Sequence, residues 1–232
     1  ERARTTCAWL DVTFNGDLLP LSGGLFDRLP TEACVMLGNI MRRANGSQLF
    51  LGWAERWDQL DFAHIPVGVL SQAYELYLRN HAPAKQRREG GYYTPRPIAD
   101  LLVRASFGGL DRAKASANAR VLDPAAGAGV FLLTAFRELV AARWRADGMR
   151  PDTLALRKIL YEQVTGFDIN EAALRFAALA LYLVSIELDP DPQPVDKLGF
   201  DDLRGRVLHL VSGESEAPGA KLGSLGPQVG DN

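Results

Sequence analysis

Eleven residues in the middle of the chain constrain its fold more than any others: Val121-Leu122-Asp123-Pro124-Ala125-Ala126-Gly127-Ala128-Gly129-Val130-Phe131. A short apolar run ends in an acid, passes through a Gly-x-Gly turn and enters a stretch of helix formers. That order describes a strand, a tight turn and a helix. Glycines let the backbone turn sharply and approach a ligand closely. The amides exposed at the start of the helix suit a carboxylate or another polar ligand group. Asp123, at the carboxyl end of the strand, stands where open α/β sheets bind ligands.

The flanking sequence repeats the theme. Arg96 to Phe107 reads as a helix, Arg120-Val121-Leu122 as a short buried strand and Val130 to Arg145 as a helix. Val164 to Phe167 reads as a second strand, and Asn170 to Leu188 as a long helix whose Asn170 is an N-cap candidate. Asp189-Pro190-Asp191-Pro192-Gln193-Pro194 stops that helix. Val207 to Val211 reads as a third strand, and the residues after Gly213 as loop. Strands alternating with long crossovers indicate a parallel α/β sheet. Upstream the signals are helical. Leu29-Pro30-Thr31-Glu32 opens one segment with apolar Val35, Met36, Leu37, Ile40 and Met41, which ends near Asn45-Gly46. Pro66 opens another, with Val69, Leu70, Ala73, Leu76 and Tyr77 at helical spacing. Lys85-Gln86-Arg87-Arg88 is a basic link, read as a solvated face. The expected division is therefore a mainly helical region, 1–88, and an α/β domain, 89–232.

Composition narrows the setting. The 232 residues carry a formal charge of −2, so any nucleic-acid surface is local or lies elsewhere. Cys7 and Cys34 form neither a disulfide framework nor a zinc spacing, which fits a reduced, cytoplasmic setting. Nothing reads as a signal peptide. Ala172 to Ile186, the most apolar stretch, contains Arg175 and is short for a bilayer span, so it reads as a buried helix. His64, His81 and His209 are isolated from one another and read as packing or surface residues, and Trp53 and Trp57 as core. No metal site is expected. The start at Glu1 and the end in Gly-Asp-Asn both read as cuts.

Two familiar phosphate loops fit poorly. A dinucleotide fingerprint needs a third glycine where Leu132 stands, and an acid closer than Asp168; a Walker loop needs Gly-Lys-Ser/Thr after the glycines. A second motif is Val164-Thr165-Gly166-Phe167-Asp168-Ile169-Asn170. A carboxylate there can accept hydrogen bonds from two vicinal hydroxyls, or it can cap the following helix. A third is Gly91-Tyr92-Tyr93-Thr94-Pro95-Arg96-Pro97-Ile98-Ala99-Asp100, in itself a proline-led helix start with aromatics nearby.

Taken together these motifs resemble the amino-group methyltransferases. Asp-Pro-Ala-x-Gly-x-Gly-x-Phe is similar to their first motif, in the form typical of the DNA adenine branch. Tyr-Tyr-Thr-Pro is similar to the block upstream of it in the type I and combined restriction-modification enzymes. The likeness runs from Phe62 to Leu188 and includes Ile65-Pro66-Val67 and Gln72-Ala73-Tyr74-Glu75. It implies a Rossmann-like class I methyltransferase fold preceded by a helical region, and S-adenosyl-L-methionine as cofactor. Asp123, Ala125, Gly127 and Gly129 would wrap the methionine part. Asp168 would clamp the ribose, Ile169 would pack near the adenine, and Tyr93 and Thr94 would touch the methionine end. The implied reaction is direct methyl transfer to the N6 amine of adenine in double-stranded DNA, after flipping of the base. A specificity or nuclease module is an implied partner.

The family's catalytic motif, Asn/Asp/Ser-Pro-Pro-aromatic, is not matched, because the sequence contains no Pro-Pro dipeptide. In family order it would fall beyond the present end, so no residue here is assigned as catalytic. The third-strand acid is open between Glu214, Asp201 and Asp202. Three alternatives stand: a methyltransferase acting on protein glutamine or RNA, a non-catalytic cofactor-binding lobe, and, more distantly, a nucleotide-linked oxidoreductase.

Overall fold

The computed structural model describes residues 2–17, 30–33, 35, 69, 76, 79–80, 94–110, 113–194 and 197–211. Helix α1 (Arg2–Thr13) is followed by α2 (Arg96–Gly108), α3 (Ala113–Ala117) and β1 (Val121–Asp123). Then come α4 (Val130–Asp147), α5 (Thr153–Gln163), β2 (Val164–Asp168), α6 (Glu171–Leu188) and β3 (Leu208–Leu210). The strands pair in parallel in the order β1-β2-β3, with Asp123 opposite Gly166 and Asp168 opposite Leu210. The expected parallel α/β arrangement is present. The helices expected from Pro30 and Pro66 lie largely outside the described residues; positions 31–33, 35, 69, 76 and 79–80 are helical.

Helix α4 forms because Leu132, Leu133, Phe136, Leu139 and Val140 make one apolar face that the sheet and neighbouring helices bury. It stops at Gly148, whose left-handed backbone (φ +71°) returns an N–H to the Trp144 carbonyl at 2.9 Å. Each fully buried Leu or Phe contributes about 1.5–3 kcal/mol of transfer free energy. Helix α6 begins where expected. The Asn170 side chain accepts from the N–H groups of Ala172 (3.0 Å) and Ala173 (3.2 Å), and Glu171 lies in the first turn, where negative charge is favoured. Its buried Ala173, Ala177, Ala178 and Ala180 allow close packing, while Leu174, Leu181 and Val184 fill the core. The reading of Ala172 to Ile186 as a buried helix thus agrees with the structure. Among the described residues no helix is long and apolar enough to cross a membrane.

Helix α1 falls in the region expected to be helical but was not singled out, α3 is an added short helix, and two further elements differ from expectation. Helix α5 was not anticipated, although its signal is present: Asp152 accepts from the Ala155 N–H at 2.8 Å, and Leu156, Ile159 and Leu160 follow at core spacing. Strand β1 was expected to be buried, but Leu122 is 53% exposed. The strand order explains this, since β2 holds the centre and β1 lies at an edge of the described sheet.

The N-terminal segment packs into the same core. Phe14 is buried against Tyr182 (ring centroids 5.1 Å apart) and stacks on Phe200 (5.6 Å). The Phe200 N–H donates to the Thr13 carbonyl at 3.2 Å, and the Asn15 side-chain amide donates to the Phe200 carbonyl.

Candidate functional site

The turn after β1 is held from two sides. The Ala126 N–H donates to the Phe167 carbonyl at 2.8 Å, and the Ala125 N–H to Asp123 Oδ1 at 3.1 Å. The turn then needs left-handed backbone at Gly127 (φ +54°) and Gly129 (φ +87°), conformations that side chains resist. The two glycines serve different purposes. A Cβ on Gly129 would lie 2.9 Å from the Ala177 Cβ, so this glycine lets α4 start against α6. A Cβ on Gly127 would meet nothing within 4 Å, so the space over that residue is open.

Asp123 and Asp168 stand at the carboxyl ends of adjacent strands. Asp168 Oδ2 accepts from the Gly127 N–H at 2.7 Å, and its Oδ1 from the Asn170 N–H at 2.8 Å. The helix cap is Asn170, so Asp168 is not the cap that the sequence also allowed. Its carboxylate instead ties the glycine turn to the start of α6, and each oxygen keeps a lone pair for another donor. Asp123 Oδ2 is buried and meets no hydrogen-bond donor among the described residues. Burial pushes the Asp123 carboxyl above the ordinary carboxylate range; the Ala125 N–H opposes this and the charge of Asp168 adds to it.

Ile169 follows Asp168 directly after β2, with 46% of its surface exposed. Tyr93 lies outside the described residues, and Thr94 is half-buried just ahead of α2. Helix α2 runs alongside α4 in the same direction. Thr134 Oγ1 lies 3.0 Å from Asp100 Oδ1, and Arg104 Nε lies 3.1 Å from Glu138 Oε1, both pairs separated by 34 residues.

Of the acids considered for the third strand, Asp201 and Asp202 precede β3 rather than follow it. Asp201 pairs with Arg206 at 3.4 Å, and Asp202 accepts from the Arg204 N–H at 2.8 Å. Glu214 lies outside the described residues. His209 stacks on Phe167 with ring centroids 4.9 Å apart, the packing role expected of it. Phe167 and His209 also line a cleft of about 460 Å³ beside β3, with Arg204 and Leu210. A larger cavity, about 800 Å³, lies near the amino ends of β1 and β2, between Arg120 and Gln163, away from the two carboxylates.

Sequence reading missed Gly166. A Cβ there would lie 2.6 Å from Leu132 Cδ1 and 3.1 Å from both Ala126 Cβ and Leu208 Cδ2, so β2 must carry glycine for the turn and α4 to seat on it.

The glycine turn and the two carboxylates lie at the carboxyl edge of a parallel α/β sheet, the edge at which open sheets of this class bind ligands. Comparison with known families makes the class specific. The N-6 DNA methylase family profile matches residues 67–198, more than half of the chain, and the chain belongs to that family. It is similar to a putative type II restriction enzyme and methyltransferase of Methanocaldococcus jannaschii, with 23% identity over 81% of this chain and 20% of that protein. It is also similar to the methylase subunit of the type I restriction enzyme HindI of Haemophilus influenzae, with 25% identity over 56% of this chain and 26% of the subunit. The methylase subunit of the M. jannaschii type I enzyme MjaVII shares 36% identity over 35% of this chain and 13% of the subunit. The chain thus spans about a quarter or less of the length of these relatives. A solved DrdV–DNA complex overlays 67% of this chain and 14% of its own, with a TM-score of 0.47 and 21% identity.

Proposed function

We propose that this chain forms the S-adenosyl-L-methionine-binding part of an adenine-specific (N6) DNA methyltransferase, in a restriction-modification or phage-defence system. One observation carries the cofactor reading: the buried, unpartnered Asp123 Oδ2 beside a glycine turn with open space over Gly127. A desolvated carboxylate lacking a donor is a natural acceptor for a cationic or N–H-bearing ligand group. The ammonium of the methionine part fits that requirement.

The residues divide the work accordingly. Asp123 would hold the methionine end, with Ala125, Gly127 and Gly129 shaping the backbone around it and Tyr93 and Thr94 touching the same end of the cofactor. Asp168 would accept hydrogen bonds from the ribose hydroxyls on its remaining lone pairs. Ile169 would give the adenine ring an apolar surface. When bound, S-adenosyl-L-methionine supplies a methyl group on a positively charged sulfur, which leaves without help from a metal. The chain's own contribution is to bind and orient, the proximity effect. The Rossmann-like class I methyltransferase fold, the division at residue 88 and a cytoplasmic setting belong to the same reading. So does double-stranded DNA as substrate, with a specificity or nuclease module as partner; the names of the relatives support these.

The test is calorimetric titration with S-adenosyl-L-methionine and S-adenosylhomocysteine. The protein should bind both, and Asp123→Ala should weaken binding at least ~10-fold, the loss of one charged hydrogen bond. No binding by the unaltered protein would end the cofactor reading. Methyl incorporation by the polypeptide carrying this chain should then go to adenine-containing DNA. Incorporation into protein or RNA instead would transfer the proposal to the alternative acceptor, and tight cofactor binding without transfer would favour a binding lobe.

A further inference from the structure

Asp17 lies outside the α/β sheet yet is 1% exposed. Its Oδ2 accepts from Tyr182 Oη at 2.5 Å and from the Leu203 N–H at 3.0 Å, while Oδ1 lies 3.2 Å from Arg204 Nε. Arg204 reaches on to Glu171 Oε1 at 3.0 Å, and Arg175 meets that same oxygen at 2.7 Å. Arg175 in turn donates to the carbonyls of Gly16 (3.1 Å) and Asp17 (3.3 Å). These contacts close a ring: Asp17, Arg204, Glu171, Arg175 and back to Asp17. Glu171 is the first residue of α6, directly after Asn170, whose N–H donates to Asp168 Oδ1.

We propose that the N-terminal segment 13–17 positions the Asp168–Asn170 turn through this ring, so that Asp17 and Arg204 are positioning residues for ribose recognition. The inference rests on the cofactor reading above. Packing alone would not call for the ring. An apolar residue at position 17 would fill the space against Phe14 and Tyr182 without burying a charge, and buried ion pairs are weak stabilisers compared with apolar replacements. What the ring supplies is a fixed position for Glu171, and with it the first turn of α6. Asp168 divides its oxygens between Gly127 of the glycine turn and Asn170 of that first turn, so any shift of α6 rotates the carboxylate. A segment distant in sequence thereby sets the geometry of the carboxylate that would meet the ribose.

The test uses Arg204→Met and Asp17→Asn, with Arg157→Met as control. Arg157 lies over the Phe200 ring at 3.6 Å and donates to the Gly199 carbonyl, so its loss loosens the same loop without touching Glu171. Two readouts are compared: affinity for S-adenosylhomocysteine against its 2′-deoxyribose counterpart, and hydrogen exchange at the Gly127 and Asn170 amides. Arg204→Met should weaken the ribose ligand by about fivefold or more, a modest coupling between sites, and the deoxy ligand by less than about twofold. Exchange at Asn170 should accelerate, and Arg157→Met should do neither. Equal losses for both ligands, or unchanged affinity and exchange in a protein that binds, would overturn the proposal. If the unaltered protein binds neither ligand, the cofactor reading fails by itself. The exchange rates then decide the ring: acceleration in Arg204→Met alone upholds it, and no acceleration removes it.

Discussion

The Gly127 N–H donates to Asp168 Oδ2 across 2.7 Å, joining two motifs that lie 41 residues apart in the chain. The glycine turn and the second-strand carboxylate therefore form one unit, and altering either changes the other. The ligand-facing part of that unit differs from its packing part, and the two glycines separate them.

Gly129→Ala and Gly127→Ala should behave differently. Both positions have positive φ, which costs a non-glycine residue roughly 1 kcal/mol. Only at Gly129 does the new methyl also meet Ala177, at 2.9 Å, which should bring the total to about 2–4 kcal/mol. Urea unfolding measures both. Gly127→Ala should lose only the roughly 1 kcal/mol of backbone strain while binding S-adenosyl-L-methionine poorly, because its methyl enters the open space. Equal stability losses would show that the α4–α6 contact is not as tight as described.

Asp123→Asn should stabilise the ligand-free protein and weaken cofactor binding. The folded-state pKa of Asp123 is raised, chiefly by burial, so the folded protein holds the proton more tightly than the unfolded chain does. Stability is then greatest below the ordinary carboxylate pKa, and declines as the pH rises from that value through the raised one. The amide has no such decline. The variant should therefore gain on the parent across that window and remain the more stable near neutral pH, because it buries no charge there. Thermal unfolding at a series of pH values decides it, and a variant that loses ground as the pH rises would contradict the assignment.

Gly166→Ala should destabilise by roughly 1–3 kcal/mol, the usual cost of overpacking. The nearest atom, Leu132 Cδ1, is the end of a side chain that can rotate, but Ala126 Cβ and Leu208 Cδ2 at 3.1 Å crowd the other sides. Because Ala126 belongs to the glycine turn, cofactor affinity should fall as well. Calorimetric titration beside urea unfolding checks both effects.

Local features were the legible ones. The glycine turn, the strand ends at Asp123 and Asp168 and the Asn170 cap are written in short runs where residue type and backbone conformation correspond directly. Helix α5 is equally legible in kind, because Asp152 caps it and Leu156, Ile159 and Leu160 follow at helical spacing. Other roles depend on partners distant in sequence. Nothing around Gly166 announces Leu132, and nothing near Asp17 announces Tyr182, Leu203 or Arg204. The exposure of Leu122 follows from strand order, which the apolar run around it does not encode.

Two helices, α5 and α6, begin at acceptor side chains that cap them. Asp152 caps α5 through the Ala155 N–H, and Asn170 caps α6 through the N–H groups of Ala172 and Ala173. Replacing either with alanine removes side-chain acceptors from first-turn amides and should cost about 1 kcal/mol. By stability alone the two variants should be nearly alike. Cofactor binding should distinguish them, because Asn170 adjoins Asp168 and gives it a backbone N–H at 2.8 Å, whereas Asp152 precedes a helix remote from both carboxylates. Without the cap the first turn of α6 frays, and the Asn170 amide no longer holds the Asp168 carboxylate in place. Asn170→Ala should therefore lose affinity for S-adenosyl-L-methionine while Asp152→Ala keeps it. Asn170→Asp, which preserves a capping oxygen, should recover both stability and affinity. If Asp152→Ala lost affinity as much as Asn170→Ala, general loosening of the domain would account for the effect, and the specific link from Asn170 to Asp168 would be dispensable.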